Sequence, residues 1–209
     1  MPDRDTSCAV CDEDLPALDA SLCGRCLLDP PPFSRLLSAA AYRGPARNAL
    51  LAFKFRGADY LAPHLAGLMA QRLAPRAFGF HEVVAVPATP RARRRAVHAA
   101  DLLAAALARR LGLLLAPGRL VKRRETRRQR ELPLEERADN VHGAFAALRP
   151  APARVLLVDD VVTSGATAHE CARALLAAGA DEVTVCCFAR ASRTDVRLEP
   201  DEEAFAELP

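Results

Sequence analysis

The sequence predicts an α/β fold built on a parallel sheet, with a small metal-binding module ahead of it. Three observations carry that reading. Arg154 to Thr167, RVLLVDDVVTSGAT, is an apolar run that ends in two carboxylates and a small, hydroxyl-rich turn. Within it Val155, Leu156, Leu157 and Val158 have the unbroken, β-branched pattern of a strand buried on both faces of a parallel sheet. Strand-like and helix-like segments alternate around it, with Val83–Val86 before Ala99–Leu111, and Ala168–Ala178 before Glu182–Phe188. Finally, Cys8, Cys11, Cys23 and Cys26 form two CxxC pairs separated by 11 residues.

At 209 residues the chain suits one main domain with room for a small extra one. Its 51% apolar composition suffices for a packed core. No uninterrupted apolar run is long enough to span a bilayer, so membrane insertion is not expected. The first residues, MPDRDTSCAVCDEDL, are acidic and lack the apolar region that secretion needs, which points to a cytoplasmic protein. A net charge of +3 argues neither for nor against nucleic acid. The abundance of Ala, Leu, Arg and Pro is what a genome rich in G and C produces, so a surface arginine need not be functional.

The two CxxC pairs suit tetrahedral zinc. Each knuckle aims two thiolates at one ion, its backbone amides soften the negative charge, and four thiolates close the coordination sphere. Such a site is structural, not catalytic. Two disulfides are the alternative, disfavoured in a cytosolic chain, and iron or iron–sulfur are minor ones. Cys171, Cys186 and Cys187 read as small core residues. Pro30, Pro31 and Pro32 form a stiff linker that ends the module.

Tyr42-Arg43-Gly44-Pro45 reads as a turn after a short strand, and Ala46 to Phe55 as a helix with one apolar face. Lys54 and Arg56 flank Phe53 and Phe55, and spacing alone makes them a solvated basic edge. Tyr60 to Leu73 is a second amphipathic helix, with Leu61, Leu65, Leu68 and Met69 on one side. After the strand Val83–Val86, Pro87 to Arg95 is a short loop whose Arg91, Arg93, Arg94 and Arg95 can pair with a multiply charged anion. An exposed basic turn is the plainer alternative. Ala99–Leu111 is a third helix, and Gly112 to Leu115 an edge strand or its approach.

Arg119 to Arg137 is the most charged stretch, with Lys122, Arg123, Arg124, Arg127, Arg128 and Arg130 close together. Such a run repels itself and is expected to be mobile without an anion. It suits a loop that closes over an anion, a surface that tracks single-stranded nucleic acid, or a solvated face. Aromatic residues for base stacking are absent within it. Thr194–Pro209 reads as a frayed acidic tail. The chain thus divides into a module at 1–30, a domain at 33–192 and a tail at 193–209.

The central stretch has a division of labour set by charge. Asp159 and Asp160 fall at the carboxyl end of their strand, the edge where open α/β sheets bind ligands. Thr163, Ser164, Gly165, Ala166 and Thr167 begin the next helix, where backbone N–H groups are unpaired and a phosphate fits. Carboxylates repel phosphate and suit the vicinal hydroxyls of a sugar. A phosphorylated ribose satisfies both halves. The plainer reading has Asp159 capping a strand and Asp160 starting a solvated turn.

The whole string resembles the ribose-phosphate loop of the type I phosphoribosyltransferases, which bind 5-phosphoribosyl 1-pyrophosphate (PRPP). The resemblance implies that Asp159 and Asp160 hold the ribose hydroxyls. It assigns Val161 and Val162 to the PRPP-binding stretch and gives Thr163 to Thr167 the 5-phosphate. The chain as a whole resembles the ComF family, in which a four-cysteine zinc module precedes a phosphoribosyltransferase domain. The cysteines, YRGPARN, FKFRG, the turn at Val86-Pro87, the spacing of Lys122, Arg124, Thr126, Gln129, Leu132, Arg137 and Asn140, and DDVVTSGAT occur in the family's order. The resemblance implies a type I phosphoribosyltransferase-like parallel sheet flanked by helices, with structural zinc, and magnesium arriving with PRPP. Arg91 and Arg93 to Arg95 hold pyrophosphate in that picture, and Lys122, Arg124 and Gln129 close over it.

The implied activity is phosphoribosyl transfer with release of pyrophosphate, in a family linked to natural competence and the handling of incoming single-stranded DNA. Candidate partners are PRPP, single-stranded DNA, and competence helicase or processing proteins. The alternative is a non-catalytic factor that PRPP regulates or that binds single-stranded DNA. One segment departs from the family: Arg95-Ala96-Val97-His98-Ala99 stands where Arg-Gly-Phe-Asn-Gln is usual, which removes two amide side chains beside the pyrophosphate loop. His98, at a helix start, reads as a cap or surface residue.

Overall fold

The computed structural model describes residues 7–15, 20–74, 79–88, 98–127, 132–133 and 136–191. Arg91, Arg93, Arg94, Arg95, Gln129 and the tail from 193 lie outside the described residues. Five strands form one parallel sheet in the order β1-β7-β6-β2-β3, where β1 is Arg35–Ala41, β2 Glu82–Ala85, β3 Leu114–Leu115, β6 Arg154–Val162 and β7 Glu182–Arg190. The helices are α1 (Gly24–Leu28), α2 (Gly44–Phe55), α3 (Ala62–Leu73), α4 (Ala99–Leu111), α5 (Glu136–Val141) and α6 (Ala166–Ala177). A separate antiparallel pair joins β4 (Leu120–Lys122) to β5 (Phe145–Ala147).

The central strand is β6, paired with β7 on one side and with β2 on the other. Its side chains alternate faces, as the pleat dictates. Leu156 and Val158 join a core layer that includes Leu50, Phe53, Leu65, Met69, Leu103 and Leu107 from α2, α3 and α4. Val155 and Leu157 join the opposite layer, with Cys171 and Leu175 of α6, Val141 of α5 and Phe145 of β5. An apolar run without alternation is what a strand covered on both faces requires. Cys171, Cys186 and Cys187 are fully buried, as their reading as small core residues expects. Burial pushes the Cys186 thiol up to about 12, so these thiols stay protonated and inert.

The helix starting after β2 lies on one face and the helix after β6 on the other. Parallel neighbours whose connections leave in opposite directions open a crevice at their carboxyl ends. That crevice lies beside Asp159 and Asp160, so the topology itself places the acidic pair at the ligand edge.

Several elements differ from expectation. The strand runs past Val158 to Val162, which makes both aspartates strand residues and not the start of a solvated turn. Asp160 is only 7% exposed. Tyr60 lies in a 3-10 turn, Asp59–Leu61, and points to solvent. Leu68 is exposed, because the buried stripe of α3 runs through Leu65, Ala66, Met69 and Leu73 instead.

Of the charged stretch from Arg119 to Arg137, residues 128–131 and 134–135 lie outside the described residues. Both of its ends are built into the fold. Arg119 donates to the buried Glu82 and to the Pro150 carbonyl. Arg137, 3% exposed, donates from Nε to the Leu132 carbonyl at 3.1 Å. Between them, Lys122 Nζ donates to Thr126 Oγ1 at 2.6 Å and lies 5.4 Å from the Phe145 ring centre. Arg124 donates to the carbonyls of Asn140 and His142, and the Asn140 side chain exchanges two bonds with the Arg127 backbone. The described cations thus find a carboxylate, a hydroxyl and several carbonyls as acceptors, which offsets part of their mutual repulsion.

The cysteine module packs against this domain. Leu36 N–H of β1 donates to the Val10 carbonyl at 2.7 Å. Asp12, held at φ 56, accepts from the Ser38 N–H at 2.8 Å and from its hydroxyl at 2.6 Å, with Arg72 beside it. No described helix is long and apolar enough to cross a membrane.

Candidate functional site

Asp159 and Asp160 stand on opposite faces of β6, so their environments diverge. Asp159 is half-buried, and its Oδ1 accepts the Asp160 N–H at 2.8 Å. Burial, reinforced by the neighbouring charge of Asp160, raises its carboxyl to about 7. Asp160 moves the other way. Burial alone would raise it, but the Lys54 ammonium 3.1 Å from Oδ2, with His98 nearby, holds it below its ordinary value. Lys54 therefore belongs to the site and is not a solvated edge residue. His98 takes the cap position of α4 without a side-chain capping bond, and its closeness to Asp160 places it at the same crevice.

Val161 and Val162 carry the strand on; Val161 pairs with Ala189, and the Val162 carbonyl accepts the Ala191 N–H at 3.0 Å. Thr163 to Thr167 then turn into α6, all five partly exposed. Gly165 is the cap residue at φ 81, a left-handed conformation that costs a side-chain-bearing residue energy, so glycine is required here. Ser164 Oγ accepts the Ala166 N–H at 3.3 Å, covering one helix-start donor.

Three arginines from distant parts of the chain hold this turn. Arg25 of α1 donates to the Ser164 carbonyl at 2.6 Å. Arg137 donates to Thr163 Oγ1 at 3.2 Å. Arg190, at the end of β7, donates to the Thr163 carbonyl and pairs with Glu13 at 2.6 Å. Sequence reading assigned none of these to the turn, because each looks locally like one more surface arginine. Lys122 and Arg124 are bonded within their own stretch, to Thr126 and to the Asn140 and His142 carbonyls.

The four cysteine sulfurs all lie within 4.8 Å of one another. Cys11 and Cys23 are 3.6 Å apart, and all seven cysteines of the chain are free thiols. Four thiolates around one tetrahedral zinc sit about 3.8 Å apart, so the cluster has the size a single ion needs. Burial works to raise Cys8, but N–H donors from Cys11, Cys23 and Val10 outweigh it and bring the thiol down to about 7. Burial drives Cys11 up to about 11 and raises Cys26 as well. Crowded thiols, two of which, Cys11 and Cys26, resist ionising singly, are a donor set that a cation stabilises collectively. This cluster could hold a metal.

A cleft of about 260 Å³ separates the module from the start of α6, with Arg25, Cys26 and Asp29 on one wall and Gly165, His169 and Arg173 on the other. Glu170, buried beneath it, accepts the Gly143 N–H at 2.7 Å and has Arg173 at 3.4 Å.

The phosphoribosyl transferase domain family matches residues 62–205. DNA utilization protein YhgH of Salmonella typhimurium is 36% identical over 195 residues, covering 90% of this chain and 85% of that protein. Competence protein F of Haemophilus influenzae is 31% identical over 194 residues, covering 88% and 84%. Among solved structures, one titled as the allosteric regulatory enzyme of purine biosynthesis aligns with 26% identity and a TM-score of 0.42, over 60% of this chain and 25% of that one. With its family match, the order of its motifs and its near full-length similarity to YhgH and competence protein F, this chain belongs to the ComF family of phosphoribosyltransferase-domain proteins.

Proposed function

We propose that the chain binds PRPP at the carboxyl end of β6 and transfers its phosphoribosyl group to a nitrogen nucleophile. The observation that carries this reading is the placement of an acidic pair, half-buried Asp159 and buried Asp160, and a glycine-turned helix start side by side at the crevice between β2 and β6. Asp159 and Asp160 accept hydrogen bonds from the ribose hydroxyls, and the Thr163–Thr167 turn takes the 5-phosphate. The C1–oxygen bond breaks with its electron pair leaving on pyrophosphate. A C1–nitrogen bond forms, and the nucleophile gives up its proton. The protein contributes positioning and charge stabilisation. Arg91 and Arg93 to Arg95 would hold the pyrophosphate, and magnesium arriving with PRPP would supply further neutralising charge.

The cysteine cluster holds one structural zinc ion, the module spans 1–30 and the domain 33–192, and the protein works in the cytoplasm. The test is pyrophosphate release from PRPP across a panel of nitrogen nucleophiles. Release that depends on one acceptor class supports transfer and identifies the substrate. Binding of PRPP with no release from any acceptor counts against it.

A second reading is favoured by what the relatives are named for, DNA utilization and competence. In it PRPP is a regulator and the basic stretch around Arg127, Arg128 and Arg130 tracks single-stranded DNA. Affinity for an oligonucleotide should then fall steeply with salt, and removing those three charges should flatten the slope. A shallow slope in the intact protein eliminates this reading.

A further inference from the structure

We propose that Arg25 is a positioning residue for the ribose-phosphate turn, so that the metal state of the cysteine cluster sets how well the turn binds phosphorylated ribose. The proposal rests on the PRPP reading above for its ligand, though its geometry does not.

Arg25 lies between two cluster cysteines, Cys23 and Cys26, in the five-residue helix Gly24–Leu28. Its guanidinium crosses the cleft to the Ser164 carbonyl at 2.6 Å, 139 positions away in sequence. A second contact from the module runs beside it. Glu13, two residues beyond Cys11, pairs with Arg190 at 2.6 Å, and Arg190 donates to the Thr163 carbonyl. The Glu13 carbonyl in turn accepts the Cys8 N–H at 2.8 Å. Both routes therefore start inside the metal-ligand loops and end on adjacent carbonyls of the turn.

The consequence follows from peptide geometry. In a trans peptide the N–H points opposite to the carbonyl it is bonded through. No cis peptide occurs among the described residues. Fixing the carbonyls of Thr163 and Ser164 toward Arg190 and Arg25 therefore also fixes where the amides of Ser164 and Gly165 point. Successive backbone amides held in place at a turn are the groups from which a concave anion site is made. Gly165, at φ 81, has the freedom to rotate out of that arrangement once the carbonyl is released. Loss of the metal frees the cysteine loops, and with them the anchor points of Arg25 and Glu13.

The test uses the full chain, metal-loaded, metal-stripped by chelation, and as Arg25→Met and Arg25→Lys. Ribose 5-phosphate and PRPP with magnesium are the probes, with melting temperature as a check on folding. Arg25 is exposed, so Arg25→Met should melt like the parent. Its affinity for ribose 5-phosphate should fall roughly fivefold to tenfold, as should that of the stripped parent, with partial recovery in Arg25→Lys. Backbone amide spectra supply a readout independent of ligand. Arg25→Met and metal removal should both shift the Ser164 and Gly165 amides and leave those of Val155 to Val158 in place. Unmoved Ser164 and Gly165 amides overturn the positioning role whatever the ligand. Shifted amides in a chain that binds no PRPP sustain the coupling and overturn the PRPP reading. Unchanged ribose 5-phosphate affinity in Arg25→Met, in a parent that binds it, overturns the proposed effect on binding.

Discussion

Lys54 Nζ stands 3.1 Å from Asp160 Oδ2, joining a helix near the start of the domain to the acidic pair on its central strand. The pair is asymmetric: the lysine side chain is 26% exposed and that of the aspartate 10%. Asp160 Oδ1 is engaged too, accepting the Val161 N–H at 2.6 Å. The carboxylate is thus held ionised and aimed before any ligand arrives.

That asymmetry makes the two single substitutions unequal. Lys54→Met strands a buried carboxylate and should destabilise the chain by about 1–3 kcal/mol, between the values for exposed and fully buried pairs. Asp160→Asn leaves a lysine that turns to water, and should cost less. Denaturant midpoints compare the two directly, and a larger loss in Asp160→Asn would contradict the arrangement.

Asp159 gives the chain a pH dependence of definite sign. Its folded value of about 7 lies above its ordinary 3.8, so the folded state holds the proton more tightly. This contribution to stability is complete below about pH 4 and is lost as pH rises through 7. Asp160, held low, works in the opposite sense: its contribution is present above its ordinary value and is lost as pH falls further. Asp159→Asn should remove the decline between pH 5 and 8. Binding of PRPP with magnesium near pH 7 should release roughly half a proton from Asp159, seen as a dependence of calorimetric heat on buffer.

The cysteine cluster should take up one zinc ion per chain and release roughly two or more protons at pH 7, because Cys11 and Cys26 are raised and must ionise. Metal analysis and pH-stat titration measure both. Cys26→Ser should lose the ion. A chain that instead shows four fewer reactive thiols and no metal has disulfides at these positions.

Arg137 is buried with its donors on the Leu132 carbonyl and Thr163 Oγ1. Arg137→Met keeps the bulk and removes the donors, leaving those acceptors short of a partner. The expected cost is about 1–3 kcal/mol, with weaker binding of ribose 5-phosphate. Full stability with unchanged binding would show that the Thr163 hydroxyl needs no such support.

What the sequence made legible was local. The unbroken apolar run of β6, the alanine-rich stretch of α4 and the glycine that ends α6 each carry their own signal, and the cysteine spacing is chemically specific. The acidic pair and the hydroxyl turn were legible because both lie in one stretch. What surrounds them was not. Arg25 meets Ser164 across 139 positions and Arg190 meets Glu13 across 177, and no window of sequence contains both partners. Lys54, between two phenylalanines, reads locally as solvated because its partner lies on another element. The partners of the charged stretch were illegible for a related reason. Its composition reports repulsion, whereas Glu82 and the carbonyls that neutralise or solvate its arginines come from elsewhere in the fold or from its own bent path.

The measurement to make first is calorimetric titration of the zinc-loaded protein with PRPP and magnesium, beside Asp160→Asn. The expected result is a saturable one-to-one isotherm in the parent and an affinity roughly tenfold or more lower in the variant, which stays folded. An absence of binding in the parent, or equal affinity in the two, would contradict the assignment of this crevice to phosphorylated ribose.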